Sequence, residues 1–297
     1  MEDLVSVIIP SFKRKKRLYR ALKSVLNQTY SNLEIIIIDD NIESQYSKYI
    51  YKLLNKINDN RIIYYKNKNN IGPAKSKNKG LRKANGKLVA FLDDDDVLTP
   101  KSIELKVNRI KKSKFKNIGL VYGWAESRFE DNTYINEYKY KYNGNCLDSA
   151  LYQCIAATSQ WLCFKDVVEK IGGFSNIVAN EDWEFIFKLI GNGYSIDYVP
   201  YITNIYYEHL GDERMSVGNI RNLKGMMELR DHARLFYNKV SCSDSKKIEL
   251  NFSSQICDFA FKNHKYKIGL QELLFLFKNS PYKFTRKIIR IILRKYN

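Results

Sequence analysis

Four consecutive carboxylates, Asp93-Asp94-Asp95-Asp96, follow an apolar stretch from Lys87 to Leu92 in a chain that is otherwise strongly basic. Like charges crowded at a strand end repel one another, and a folded protein keeps such a run where a cation neutralises it. Asp93 and Asp95 make an Asp-x-Asp hook of hard oxygen donors, which suits Mg²⁺ or Mn²⁺. A metal held by only one or two protein carboxylates completes its shell with substrate phosphates, so the pattern points to chemistry on a phosphate-bearing substrate. The plainer alternative is a solvated acidic loop, or a helix start capped by Asp96 ahead of Pro100.

The elements that must position this run alternate. Leu4 to Pro10 is a Val- and Ile-rich run that reads as a buried parallel strand, followed by a helix marked by Leu18, Ala21, Leu22, Val25 and Leu26. Glu34 to Ile38 gives a second strand ending in Asp39-Asp40. Tyr46, Ile50, Leu53, Leu54 and Ile57 mark the next helix, and Arg61 to Tyr65 a third strand. A helix from Pro73 precedes the strand that delivers the acidic run; a further helix spans about Pro100 to Lys112, and Ile118 to Tyr122 is a fifth strand. Strands separated by helices imply right-handed crossovers and a mainly parallel sheet, with ligands beyond the carboxyl ends of its strands. Ser11, Asp40 and Asp95 fall at three such ends. The turn after the first strand, Pro10-Ser11-Phe12-Lys13-Arg14, carries neither a glycine fingerprint nor a Walker lysine. From Gly123 to about Asn145, Tyr, Asn and short polar clusters replace the alternation, as in an irregular, partly mobile region; Ile155 to Phe164 returns to the core and a helix covers Asp166 to Ile171.

A length of 297 residues suits one large domain or two smaller ones. The net charge of +18 implies an anionic partner: nucleic acid, nucleotide phosphates or an anionic membrane face. Five cysteines without a Cys-x-x-Cys pair argue against a zinc site or a disulfide framework and favour a reducing cytosol. No apolar stretch approaches the ~20 residues of a membrane span. Met1-Glu2-Asp3 leads straight into a core strand, which leaves no signal peptide. Scattered lysines and arginines, without an RNP, helix-turn-helix or zinc pattern, argue against nucleic acid.

Ser6-Val7-Ile8-Ile9-Pro10-Ser11-Phe12, Ile38-Asp39-Asp40-Asn41, the stretch Asn70-Ile71-Gly72-Pro73 through Lys77-Asn78-Lys79-Gly80, and Phe91-Leu92-Asp93-Asp94-Asp95-Asp96 occur in this order. Together they resemble the donor half of family 2 glycosyltransferases, and Gly172-Gly173-Phe174 with Glu181-Asp182-Trp183 is similar to that family's acceptor-side motif. The resemblance covers about residues 4 to 217. It implies a GT-A fold, a Rossmann-like α/β donor half with a mainly parallel central sheet flanked by helices, and a UDP-sugar donor used with Mn²⁺ or Mg²⁺. Asp95 would be the direct metal ligand, joined by Asp93 and His209. Pro10, Ser11, Phe12, Arg14, Asp40, Gly72, Lys77, Asp93 and Asp94 would bind the nucleotide-sugar, with Asp40 accepting from uracil N3–H. Asp182 would be the base of an inverting transfer, with Glu181 orienting acceptor or base. Two positions depart from the family: Asp94 where a serine is usual, and Tyr207 where an arginine is, with Arg214 nearby to supply charge. Asp94 either adds charge to the site or faces solvent. Plainer roles stay open for Asp39 or Asp40 as a helix cap, Lys77 on a solvated helix face, Asp182 as a first-turn carboxylate and His209 as a structural residue.

The division expected is a catalytic domain over 1–220, donor half 1–122 and acceptor half 123–220, then a helical region over 221–297. The last helix, Tyr282 to Tyr296, sets Lys283, Lys287, Arg290 and Arg294 beside Ile288, Ile289 and Ile292 without an acid. It reads either as a basic amphipathic helix lying on an anionic membrane or as a helix packed on the domain. The function expected is transfer of a hexose or N-acetylhexosamine to a saccharide acceptor, lipid-linked and in bacterial surface-polysaccharide synthesis, by an enzyme peripheral on the cytoplasmic membrane face. A metal-dependent nucleotidyltransferase is the alternative.

Overall fold

Seven consecutive buried residues form β1 (Val5–Ser11) and seven more form β2 (Leu33–Asp39), so both strands lie covered on both faces. The structure, a computed structural model, describes residues 2–208 and 220–294. In chain order, β1 leads to α1 (Lys16–Leu26), β2, α2 (Ser44–Ile57), β3 (Ile62–Lys66), α3 (Pro73–Lys83), β4 (Leu88–Phe91), β5 (Val97–Leu98) and α4 (Ser102–Lys112). Then come β6 (Ile118–Phe129), β7 (Tyr134–Tyr138), α5 (Leu147–Tyr152), β8 (Trp161–Phe164), α6 (Lys165–Lys170), α7 (Glu181–Gly191) and β9 (Ser195–Glu208). Four helices close the chain: α8 (Ile220–Arg234), α9 (Cys242–Lys262), α10 (Tyr266–Asn279) and α11 (Pro281–Arg294).

Two compact units result. The first comprises Met1–Cys146, Ile155–Asn176 and Lys188–Leu210. It holds a nine-stranded sheet of order β3-β2-β1-β4-β8-β6-β9-β5, with β7 hydrogen-bonded to β6. The strands β3, β2, β1 and β4 run parallel, as do β6 and β9, while β8 is antiparallel to both β4 and β6. The chain steps outward from β1 to β3 and then returns to the other side of β1 as β4. That reversal opens a crevice between the carboxyl ends of β1 and β4. The apolar face of α1 (Leu18, Ala21, Leu22 and Val25) joins Val5, Val7, Ile9, Ile35 and Ile37 in one core cluster. On α3, a Cβ built at Gly80 would stand 2.3 Å from Ile8 Cγ2, so glycine lets this helix approach β1.

The stretch 123–145 is more regular than its polar composition suggests. β6 continues to Phe129 and turns back into β7, and Gly144 bridges to Ile196. Pairing to β9 over the full length of β6 supplies the order that the local sequence does not advertise.

The second unit, Leu147–Cys154, Ile177–Phe187 and Gly211–Asn297, is helical where described. Trp183 stacks on Phe252 at 5.6 Å and donates from Nε1 to Ala150 O at 2.7 Å. The expected basic stripe on the last helix is broken at its centre. Lys287 is buried and donates to Asp258 Oδ2 at 2.7 Å and to Ser254 O at 2.9 Å. A buried ammonium needs such partners, and α9 provides them. Tyr282, Thr285, Arg286, Ile289 and Arg290 form the exposed side instead. Among the described residues no helix is long and apolar enough to cross a membrane.

Candidate active site

The four aspartates divide by parity. Asp96 N–H closes the turn onto Asp93 O at 3.1 Å. Asp94 turns inward and accepts the Phe12 N–H on Oδ2 at 3.1 Å, tying the β4 turn to the β1 turn. Asp96 Oδ2 accepts from Ser159 Oγ at 2.5 Å, and that same hydroxyl oxygen accepts the Asp93 N–H at 3.1 Å. Asp93 and Asp95 keep side chains 41% and 27% exposed. Asp94 therefore does not face solvent, and Asp96 is no helix cap, since Lys101 holds the N-cap of α4. Burial, then the Asp95 charge, pushes the Asp94 carboxyl well above the usual range, against the pull of the Phe12 amide. Burial, then Asp95 and Asp93, does the same to Asp96, against Ser159 and Lys77.

Each outward carboxylate meets a cation. Arg14 Nη2 stands 3.6 Å from Asp95 Oδ2, and Lys77 Nζ 3.2 Å from Asp93 Oδ1. Lys77 is buried rather than on a solvated face; its ammonium lies 5.4 Å over the Phe174 ring and donates to Thr158 Oγ1 at 3.3 Å. Among the described residues no group of three or more His, Cys, Asp and Glu side chains converges as a closed metal site. Two hard carboxylates at an open turn still fit Mn²⁺ or Mg²⁺ that draws its remaining ligands from bound phosphates. His209, Arg214 and Ser216 lie outside the described residues.

The end of β2 completes the crevice. Asp40 Oδ1 accepts from Asn67 Nδ2 (2.7 Å) and Ile71 N–H (2.9 Å), and Oδ2 from Gly72 N–H (2.8 Å). A carboxylate offers about four acceptor positions, so one on Oδ2 stays open. Gly72, at φ 82°, caps α3 in a conformation that glycine tolerates, directly before Pro73 at the helix start. Phe12, at the tip of the β1 turn, is 42% exposed. Pro10 and Ser11 are the last two residues of β1 and pair with Ile38 and Asp39. On α3, Asn78 accepts the Phe174 N–H (2.9 Å) and donates to Phe174 O (2.8 Å). A Cβ at Gly173 would fall 2.4 Å from Asn78 Oδ1, which accounts for glycine there.

Pro10, Ser11, Phe12, Arg14, Asp40, Gly72, Lys77 and Asp93 to Asp95 thus gather at the ends of β1, β2 and β4 and the start of α3. Glu181 and Asp182 belong to the second unit, in the first turn of α7, where Asp182 Oδ1 accepts the Trp183 N–H at 2.7 Å. Sequence reasoning passed over Ser159, which braces the acidic turn from a single 3₁₀ turn, Thr158–Gln160, without a motif, and Arg20. The signal for Arg20 was present: Arg14, Arg17 and Arg20 recur at helical spacing beside the first strand end.

Solved structures with this architecture include Staphylococcus aureus TarS 1-349 in complex with UDP-GlcNAc. It aligns over 91% of this chain and 79% of its own at TM-score 0.66 and 14% identity. The mannosyltransferase PcManGT from Pyrobaculum calidifontis, in complex with GDP-Man and Mn²⁺, aligns over 100% and 81% at TM-score 0.64 and 15% identity. Among curated relatives, the Escherichia coli UDP-Glc:alpha-D-GlcNAc-diphosphoundecaprenol beta-1,3-glucosyltransferase WfaP is 38% identical over 112 residues, 38% of this chain and 43% of that protein's length. Residues 6–172 match the family model for Glycosyl transferase family 2. With the GT-A architecture and more than half of its length accounted for, the chain belongs to glycosyltransferase family 2.

Proposed function

We propose that this glycosyltransferase is inverting and metal-dependent, and moves a hexose or N-acetylhexosamine from a UDP-sugar to a lipid-linked saccharide in bacterial surface-polysaccharide synthesis. The observation that carries the reading is the parity of the acidic run. Two aspartates brace the turn, and two stay outward beside Arg14 and Lys77, where a metal–diphosphate would be held. Mn²⁺ or Mg²⁺ on Asp95 and Asp93 would supply Lewis-acid neutralisation of the departing diphosphate. The remaining roles fall to the chain. Residues 1–122 bind donor and 123–220 acceptor; the open position on Asp40 Oδ2 accepts from uracil N3–H, and the Phe12 ring covers base and ribose. Asp182 takes the acceptor hydroxyl proton as that oxygen attacks the anomeric carbon from the face opposite the diphosphate, and Glu181 orients it. The UDP-glucose and diphosphoundecaprenol in the name of the E. coli relative support this choice of donor and acceptor.

A lipid-linked acceptor calls for attachment at the inner membrane face, and the second unit offers a surface for it. Tyr266, Leu270, Leu274 and Phe277 recur on one side of α10, each more than half exposed. Glu272 is the sole acid between Lys262 and Arg294, and it is buried against Arg230 at 2.8 Å. What remains outside is apolar and cationic, as a helix lying in an anionic interface requires.

A donor screen with Mn²⁺, reading UDP release and product anomer by NMR, tests the assignment. Asp182→Asn is expected to bind UDP normally and to lose about 10²–10⁴-fold in transfer. Asp95→Asn is expected to lose metal-dependent UDP binding. Anomeric retention, pyrophosphate as product, or equal UDP affinity in EDTA and in Mn²⁺ would overturn the reading.

A further inference from the structure

Arg20 stands on α1, and its guanidinium lies 3.5 Å from the centroid of the Tyr207 ring. Its Nη2 donates to the main-chain oxygen of Asp95 at 3.3 Å, which sets it against the outward hook. Nη1 donates to Glu130 Oε2 at 2.6 Å, while Nε is buried without an acceptor. Arg17 Nε reaches the other oxygen of Glu130 at 3.3 Å. Glu130 sits in the turn between β6 and β7, and Tyr207 OH donates to Asn132 Oδ1 in that turn at 2.9 Å. All six residues belong to the first unit.

Resting on the donor reading above, we infer that Arg20 is a further contact for the diphosphate, with Glu130 occupying its place until the donor arrives. The Glu130 side chain is 46% exposed, and an ion pair that open to water is weak, so it exchanges readily. A diphosphate brings more charge and more acceptor oxygens, and a guanidinium grips phosphate with two parallel bonds. The unmet Nε–H gives Arg20 a donor that Glu130 does not satisfy. Stacking on Tyr207 limits the motion required to a turn of the fork about its own plane.

Isothermal titration with Mn²⁺·UDP and with Mn²⁺·pyrophosphate reads the exchange directly. Glu130→Gln, which removes the resident anion, is expected to tighten both ligands by about 3–10-fold. Arg20→Gln is expected to weaken both by about tenfold or more, with Arg20→Lys between, since a lysine neither forks nor stacks as arginine does. A Glu130 that merely braced the hairpin would give a variant that melts earlier and binds no tighter. Unchanged or weaker binding by Glu130→Gln, or an Arg20→Gln affinity within about twofold of the parent, would overturn the inference while leaving the donor reading intact. A parent protein that binds pyrophosphate but not UDP, with the variant order preserved, would instead remove the uridine donor and keep Arg20.

Discussion

Lys106, on the buried face of α4, carries a second electrostatic burden behind the acidic turn. Its ammonium is fully buried, donates to Ser102 Oγ (3.0 Å) and Asn204 Oδ1 (3.3 Å), and has its pKa lowered to about 7 by burial. Asn204 in turn donates to the carbonyl of Ser159, the residue whose hydroxyl holds Asp93 and Asp96. An unfolded chain keeps that lysine protonated to about pH 10.4, so above pH 7 the unfolded state binds the extra proton. Stability contributed by Lys106 is therefore complete only above the unfolded value and is lost as pH falls through about 7. Between pH 7 and 9 the parent should gain up to about 1.4 kcal/mol per pH unit relative to Lys106→Met. Urea unfolding of both proteins across that range measures it, and parallel pH slopes would refute the assignment.

At the scale of elements, the sign of one substitution separates helix propensity from packing. Alanine in place of an exposed helical glycine stabilises by up to about 1 kcal/mol. Gly80→Ala in α3 would drive its methyl into Ile8 of β1, and overpacking of that kind costs about 1–3 kcal/mol. A fall in urea midpoint with unchanged slope is the expected result; a rise would mean that α3 yields freely. The elements legible in sequence are those whose inward faces are apolar. β1, β2 and β4 read as runs rich in Val, Ile and Leu, and α1 and α2 as periodic ones, which was enough to bring Ser11, Asp40 and Asp95 to one crevice. β9 was not legible, because its buried positions include Asp197, Thr203 and Asn204. Those residues are made tolerable by distant partners such as Arg109, whose guanidinium holds Asp197 at 2.8 and 2.9 Å. β5 has two residues and no period to detect. Within the site, Asp40 and Asp95 could be read from strand ends, whereas Ser159 and Glu130 come from a short 3₁₀ turn and a hairpin turn whose neighbours only the tertiary fold assigns.

At the scale of the molecule, the exposed face of α10 predicts where the protein works. Each surface-facing Lys or Arg contributes about 1 kcal/mol on an anionic leaflet, and the exposed leucines and phenylalanine add apolar burial. The parent should co-sediment with phosphatidylglycerol vesicles, bind phosphatidylcholine weakly and release in high salt. Leu270→Gln, Leu274→Gln and Phe277→Gln combined should abolish binding and leave UDP affinity unchanged. Vesicle binding that survives the triple change, or a parent dimer that the change makes monomeric, would count against a membrane role. The strand order has a further consequence, for the sequence of assembly. β5, directly after the acidic run, pairs only with Asn204 and Ile205 of β9 among the described residues, and those two partners come more than a hundred positions later. Contacts between remote segments wait on costly loop closure. A chain emerging from the ribosome thus completes β1, β2 and β4 early, yet holds its clustered negative charge without that wall until β9 docks. Divalent cation is expected to speed that last step, because neutralising the hook removes the repulsion that a half-finished crevice leaves exposed.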